Sequence, residues 1–192
     1  MARVVVVNHV TLDGVMQGPG RPDEDRRGGF AQGGWAYRRA DPELDRMMGE
    51  RTAGEWALLL GRRTYEDFAG FWPRQTDSPF TAVLNERRKY VASRTLNEPL
   101  PWQNSTPVPD VQAFLAAYAG PDLTVLGSGE LIQALMRHDL IGEYLLMIHP
   151  LVFGTGRRLF PDGVVPADLR LTGARSTANG VIVATYEREG SL

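Results

Sequence analysis

Ala57-Leu58-Leu59-Leu60-Gly61-Arg62-Arg63-Thr64-Tyr65 sets an apolar run directly before a glycine, two cations and a hydroxyl. The run predicts a buried strand, and Thr64 to Phe68 a helical turn beyond it, closed by Gly70 and the Phe71-Trp72-Pro73 breaker. A strand that ends in glycine lets the backbone approach a ligand closely. Arg62 and Thr64 then place a cation and a hydroxyl beside the unsatisfied N–H groups of a helix start. Those groups suit a phosphate. Taken alone, Gly61 serves equally as a tight turn and Thr64 as a helix cap. What the rest of the chain brings beside this stretch decides between the two.

Outward from it, strands and helices alternate. Val4 to Val10 is nearly continuous in β-branched residues, the pattern of a strand covered on both faces at a sheet centre. Leu123 to Leu126, Ser128 to His138 and Glu143 to His149 read as strand, helix and strand, which implies parallel pairing and a right-handed crossover. Asp41-Pro42-Glu43 is a helix start, with one face continuing through Leu44, Met47, Met48 and Arg51. Pro79 to Glu86 and Asp110 to Tyr118 are further helices, Lys89 to Ser93 is a strand, and Pro99 to Pro109 reads as a polar connection. Leu169 to Ser176 and Val181 to Glu187 alternate in polarity around Asn179-Gly180, a hairpin signature. The expectation is one α/β domain over residues 1–192, with a mainly parallel central sheet flanked by helices and a C-terminal antiparallel hairpin. Residues 13 to 40 carry seven glycines together with Pro19 and Pro22, a long irregular excursion of the functional or mobile kind.

Composition removes several function classes. With 192 residues and 43% hydrophobic content, the chain buries a core without staples. A formal net charge of -2, with arginines interleaved among acids, gives no field for nucleic acid. The absence of cysteine excludes disulfides, thiolate zinc sites, iron–sulfur clusters and a cysteine nucleophile, and fits a reducing, cytoplasmic location. Val4 to Val7 is too short for a signal-peptide core or a membrane span, so no membrane partner is expected. His9, His138 and His149 lack the spacing of a zinc or iron pair, so no metal is expected. Ser128 lies in Gly-Ser-Gly without the outer glycine spacing of a nucleophile elbow.

Three predicted strand ends carry ligand-like residues: Gly61-Arg62-Arg63-Thr64, Ser93-Arg94-Thr95 and Gly127-Ser128-Gly129-Glu130. In open α/β sheets, ligands bind beyond the carboxyl ends of strands, so three such ends in succession outweigh any one. Gly127 to Gly129 opens a helix whose bare amides favour a pyrophosphate. It is neither a P-loop nor a six-residue dinucleotide fingerprint. Arg62 and Arg94 each read alone as a surface arginine; together with the third segment they bracket a phosphate.

Five segments in this order carry a resemblance. They are Thr11-Leu12-Asp13-Gly14, Leu60-Gly61-Arg62-Arg63-Thr64-Tyr65-Glu66, the Ser93-Arg94 strand end, Gly127-Ser128-Gly129-Glu130, and His149-Pro150 running on to Phe153-Gly154-Thr155-Gly156-Arg157-Arg158-Leu159-Phe160. The chain resembles the dihydrofolate reductase-like superfamily and, within it, the RibD C-terminal (riboflavin-pathway reductase) domain family. The resemblance implies an NADPH-dependent reductase of a small heterocyclic or ribosylamino-pyrimidine-type substrate. By position, Gly61, Arg62 and Thr64 would contact the adenosine and phosphate side of NADPH, and Ser93 with Arg94 its 2′-phosphate. Gly127, Ser128, Gly129, Glu130 and Leu131 would hold the pyrophosphate, and His9 would lie near the nicotinamide. The loop from Asp13 to Tyr37 is the expected lid, with Phe30, Trp35 and Trp72 as substrate walls or as ordinary core. Asp13 and Asp45 are the catalytic candidates; Asp13 reads equally as a turn residue and Asp45 as part of a solvated helix face. No zinc deaminase domain of the kind that accompanies the riboflavin enzyme is expected, since these residues hold no cysteine to form its site. The alternative is a non-catalytic NADPH- or ligand-binding module of the same fold, and either is compatible with a homodimer.

Overall fold

The computed structural model describes residues 2–38, 41–76 and 78–189. At its centre is β1 (Val4–Thr11), in which every residue except His9 is buried. Parallel neighbours flank it: β5 (Asp122–Leu126) on one side and β6 (Glu143–His149) on the other. Beyond β5 follow β2 (Trp56–Gly61), β3 (Lys89–Ala92) and β4 (Ser105–Val108), all parallel. Beyond β6, β8 (Ile182–Arg188) and β7 (Leu169–Ser176) add antiparallel, giving the order β4-β3-β2-β5-β1-β6-β8-β7. The six parallel strands therefore end on one edge, with Gly61, Ala92, Leu126, Thr11 and His149 along it. This is the expected mainly parallel sheet with an antiparallel C-terminal addition.

Strand alternation divides β1 between two cores. Val4, Val6 and Val10 lie against α5 (Gly129–Arg137) through Leu131, Ile132 and Leu135, and α4 (Val111–Ala117) joins this side with Phe114 and Leu115. Val5 and Val7 face α1 (Pro42–Arg51) through Leu44 and Met48. On the same side, Leu58 and Leu60 meet Tyr65 of α2 (Arg62–Phe71) and Leu84 of α3 (Pro79–Glu86). Each such side chain contributes roughly 1.5–3 kcal/mol on burial, so the valine run anchors both layers. The Asp41 carboxylate accepts the Leu44 N–H at 3.1 Å and Asp110 that of Ala113 at 3.0 Å, capping α1 and α4 as their sequences predict.

One local expectation changes and another gains detail. The stretch 99–109 is not only a connection, because Ser105–Val108 is the sheet-edge strand β4. Lys89 N–H donates to Asn104 O at 2.8 Å and Ser93 N–H to Val108 O at 3.0 Å, so the even-numbered residues face β3. Pro107 turns its missing N–H outward, the one arrangement an edge strand tolerates. Beside this edge the buried Lys89 ammonium donates to the carbonyls of Asn85, Arg87 and Gln103 at 3.1, 2.7 and 3.0 Å and lies 4.4 Å from the Trp102 ring centre. Burial lowers its pKa to about 8. The hairpin at Asn179-Gly180 closes through three loop residues: Gly180 N–H donates to Thr177 O and Thr177 N–H to Val181 O, both at 2.9 Å, with Gly180 left-handed at φ 82. That is a turn followed by a glycine bulge, not a two-residue loop. No helix among the described residues is long and apolar enough to cross a membrane.

Candidate active-site cleft

A cleft of about 2050 Å³ opens along the carboxyl edge of the parallel strands. One bank is built by β2, β3 and β5. Gly127 and Ser128 are left-handed in succession, at φ 57 and 54, and turn the chain from β5 sharply into α5. Ser128 Oγ accepts the Gly61 N–H at 3.0 Å and donates to Leu126 O at 3.0 Å, while Ser128 N–H donates to Thr64 Oγ1 at 3.1 Å. These bonds tie the ends of β2 and β5 together. The first amides of α5 have no intrahelical acceptor and face this bank. Above them, Arg27, Arg63 and Arg157 converge on one oxygen, Glu130 Oε1, at 3.5, 3.2 and 3.1 Å. Arg62 donates to Glu66 at 2.8 Å and to the Thr95 hydroxyl at 2.9 Å. Ser93 Oγ accepts the Thr95 and Leu96 amides at 3.2 and 3.1 Å, and Arg94 is exposed beside it with no carboxylate partner among the described residues.

The opposite bank comes from β1, β6 and the long loop. The register pairs Thr11 with His149 and His9 with Met147, so both histidines stand on the face that carries α1. His9 Nδ1 and His149 Nε2 are 2.8 Å apart, and His9 Nε2 lies 3.3 Å from the Tyr37 hydroxyl. Burial, and then the neighbouring His149, lower the His9 pKa to about 3; burial lowers that of His149 to about 4 against the opposing pull of Asp41. Both rings are therefore neutral near pH 7. Desolvation of the hydroxyl end beside His9, with the Asp45 and Glu24 carboxylates, raises the Tyr37 pKa, so its hydroxyl keeps its proton.

Every residue expected to contact a nucleotide lines this cleft: His9, Gly61, Arg62, Thr64, Ser93, Arg94 and Gly127 to Leu131. Asp45 and Trp72 line it too. Three expected site residues are not among its lining residues. Asp13 accepts the Thr11 hydroxyl at 2.6 Å and the Gly154 N–H at 2.8 Å, bonds that hold its pKa below the usual carboxylate range. It closes the Thr11–Gly14 turn onto the segment after β6, which is the turn role its sequence also allowed. Phe30 and Trp35 are 5% and 2% exposed and form a small core with Val15 and Phe153. The Trp35 indole N–H donates to Gln17 O at 2.8 Å, and its ring stands edge-on to His149, bracing the site from behind.

The expected lid loop is also tied down at its start. Met16 N–H donates to Arg157 O and Leu159 N–H to Gly14 O, at 2.8 and 2.9 Å, and the buried Gln17 amide bridges Arg157 N–H and Arg27 O. Gly18 to Arg21, Glu24 to Arg27 and Tyr37 then reach the cleft. Sequence reasoning missed Tyr37 and Glu24 as cleft-lining residues and His149 as the partner behind His9. The signal for His149 was present in the parallel pairing of β1 with β6, which sets two strand-end histidines side by side. Tyr37 and Glu24 have no comparable local signal.

Known proteins share this architecture. Residues 2–183 match the RibD C-terminal domain. An uncharacterized protein of Bacillus subtilis (strain 168), YyaP, is 28% identical over 140 residues, covering 69% of this chain and 74% of that protein. A crystal structure of a protein provisionally named a riboflavin biosynthesis protein, from Shewanella sp. PV-4, superposes with a TM-score of 0.68 at 21% identity, over 99% of this chain and 100% of that one. The family match spans nearly the whole chain, β1 to β8, and the chain belongs to the RibD C-terminal domain family within the dihydrofolate reductase-like fold.

Proposed function

We propose that the chain is an NADPH-dependent reductase of a small heterocyclic or ribosylamino-pyrimidine-type substrate. The observation that carries this reading is the meeting of three parallel strand ends, Gly61–Thr64, Ser93-Arg94 and Gly127–Leu131, on one cleft. The donor set fits a dinucleotide phosphate. Successive left-handed residues present the start of α5 to the pyrophosphate, and Ser93 and Arg94 offer a hydroxyl and a cation where a ribose bearing only hydroxyls would call for a carboxylate. At about 2050 Å³ the cleft exceeds the roughly 300–1,000 Å³ that one small ligand needs, leaving space for a second molecule beside the dinucleotide. When bound, NADPH supplies the hydride. The chain's own task is to hold substrate and cofactor in contact, with Trp72 as an apolar wall and Tyr37 and His9 as the polar floor.

In the test, NADPH well above micromolar concentration raises the melting temperature, because a ligand that binds only the native state must stabilise it. Loss of NADPH absorbance on adding a pterin or a ribosylamino-pyrimidine then identifies turnover. No thermal shift overturns the cofactor reading. The position of Asp13, outside the cleft and engaged by Thr11 and Gly154, favours a second reading, a non-catalytic NADPH- or ligand-binding module. A thermal shift without oxidation by either substrate class would select it.

A further inference from the structure

The Tyr37–His9–His149 line has a chemistry distinct from the arginine bank. A neutral imidazole carries one N–H, so whichever way the 2.8 Å bond between the rings runs, it fixes what His9 presents at Nε2. If His9 Nδ1 donates to His149, Nε2 is a bare acceptor and takes the Tyr37 O–H. If His149 Nε2 donates to His9, then His9 Nε2–H is a donor and the Tyr37 hydroxyl hydrogen is free to turn toward the cleft. His9 and Tyr37 both line the cleft, and Tyr37 is 60% exposed. The rings are held in place: Trp35 stands at 89° to the His149 ring with centroids 5.1 Å apart, and at 90° to His9 at 6.5 Å.

We propose that Tyr37 Oη and His9 Nε2, with His149 as the positioning residue behind them, form a reversible donor–acceptor edge that holds a neutral ring amide of the substrate, an N–H beside a C=O. The claim rests on the reductase reading for the identity of its ligand as a substrate. Two polar atoms 3.3 Å apart, one able to donate while the other accepts, suit two neighbouring ring atoms of opposite hydrogen-bonding sense. Because the line stays uncharged near pH 7, it discriminates against carboxylates and phosphates, which the arginines across the cleft attract instead. The two banks would thereby keep the dinucleotide phosphates on the arginine side and a neutral ring on this one.

Pterin and uracil, each with an N–H next to a C=O, are suitable probes, with their derivatives methylated at that nitrogen as controls. The wild type is expected to bind at least one parent ring, and methylation to weaken it about tenfold, the value of one net hydrogen bond. His149→Phe is expected to weaken the parent ring by a similar factor with the NADPH thermal shift unchanged, and His149→Gln, which keeps a donor and an acceptor, to restore most of it. In the wild type, the nitrogen-15 shifts of His9 and His149 should move together toward one tautomer on adding the ring. Failure of the wild type to bind either parent ring, equal binding of methylated and parent rings, or an unchanged affinity in folded His149→Phe would each overturn the proposal. Absence of the NADPH shift in the wild type is a separate result, which removes the reductase reading and leaves ring binding to be scored on its own.

Discussion

The two banks of the cleft are built on opposite plans. The β2–β3–β5 bank is made of short sequence words, each a strand end followed at once by glycine, serine, threonine or arginine, and it is cationic. The β1–β6 bank is held from behind by pairs far apart in sequence: His9 with His149, Asp13 with Gly154, and Asp41 with Thr177, separated by 140, 141 and 136 residues. Its polar groups are neutral rings and carboxylates fixed by hydrogen bonds. The difference teaches that local chemistry suffices to mark a candidate phosphate site, whereas the surface proposed to face a substrate ring exists only once the sheet has closed. The first bank should therefore lose ligand affinity when altered and keep its stability. The second should do the reverse, because its side chains also join the ends of the chain.

The largest expected effect is on the second bank. Asp41 accepts the Leu44 N–H at the start of α1 and the buried Thr177 hydroxyl at 2.6 Å. Asp41→Ala removes a helix cap, worth about 1 kcal/mol, and strands a buried hydroxyl, worth about 1–3 kcal/mol, so urea unfolding should show a loss of roughly 2–4 kcal/mol. Asp41→Asn keeps the acceptor and should recover much of it. A loss below about 0.5 kcal/mol would mean that water replaces both partners and that this bank is not a clasp.

Arg94→Ala tests the first bank. Removing a charge-assisted contact to a 2′-phosphate costs about 1.5–3 kcal/mol, so NADPH affinity should fall about ten- to a hundredfold while NADH affinity and the unfolding midpoint barely move. Equal losses for the two dinucleotides would take Arg94 out of the 2′-phosphate role. Either result sharpens the contrast, since Arg94 is exposed and has no carboxylate partner among the described residues whose loss would register as instability.

The legibility of each bank follows from the same contrast. The sheet was readable because the runs at Val4, Leu58 and Leu123 are long enough to fix strands, and βαβ spacing then fixes parallel order. The residues proposed to face the phosphates were readable because the proposed role lies in their immediate neighbours. Strand β4 was not, since Pro107 and the polar Ser105 and Thr106 are acceptable only at a sheet edge, and nothing local reveals an edge. Phe30 and Trp35 read as walls or as core because aromatics in a glycine-rich loop suit both; they are buried with Val15, and the Trp35 indole donates to Gln17 O. Asp13-Gly14 carries two readings, and the structure shows the turn, with the Gly154 amide, 141 residues away, donating to the Asp13 carboxylate.

The smallest expected effect is a slope in stability with pH, and it belongs to the second bank alone. His9 and His149 have pKa values lowered to about 3 and about 4, while in the unfolded chain both return to about 6.5. Between those limits the unfolded chain binds more protons than the native protein, so stability rises with pH there. The contribution of the neutral pair is complete above about pH 6.5 and is lost as pH falls toward the folded values. From pH 7 to 6 the loss should be about 1 kcal/mol for two such sites. The carboxylates of Asp13 and Asp41, also lowered, titrate below about pH 4 and add a separate, more acidic loss. Chemical denaturation at pH 7, 6.5 and 6 therefore reads the histidines and not Asp13 or Asp41. Replacing both with glutamine should flatten that interval while the first bank still binds NADPH. A slope that survives the double replacement would place its source outside the His9–His149 pair and would leave the neutral floor of the cleft without thermodynamic support.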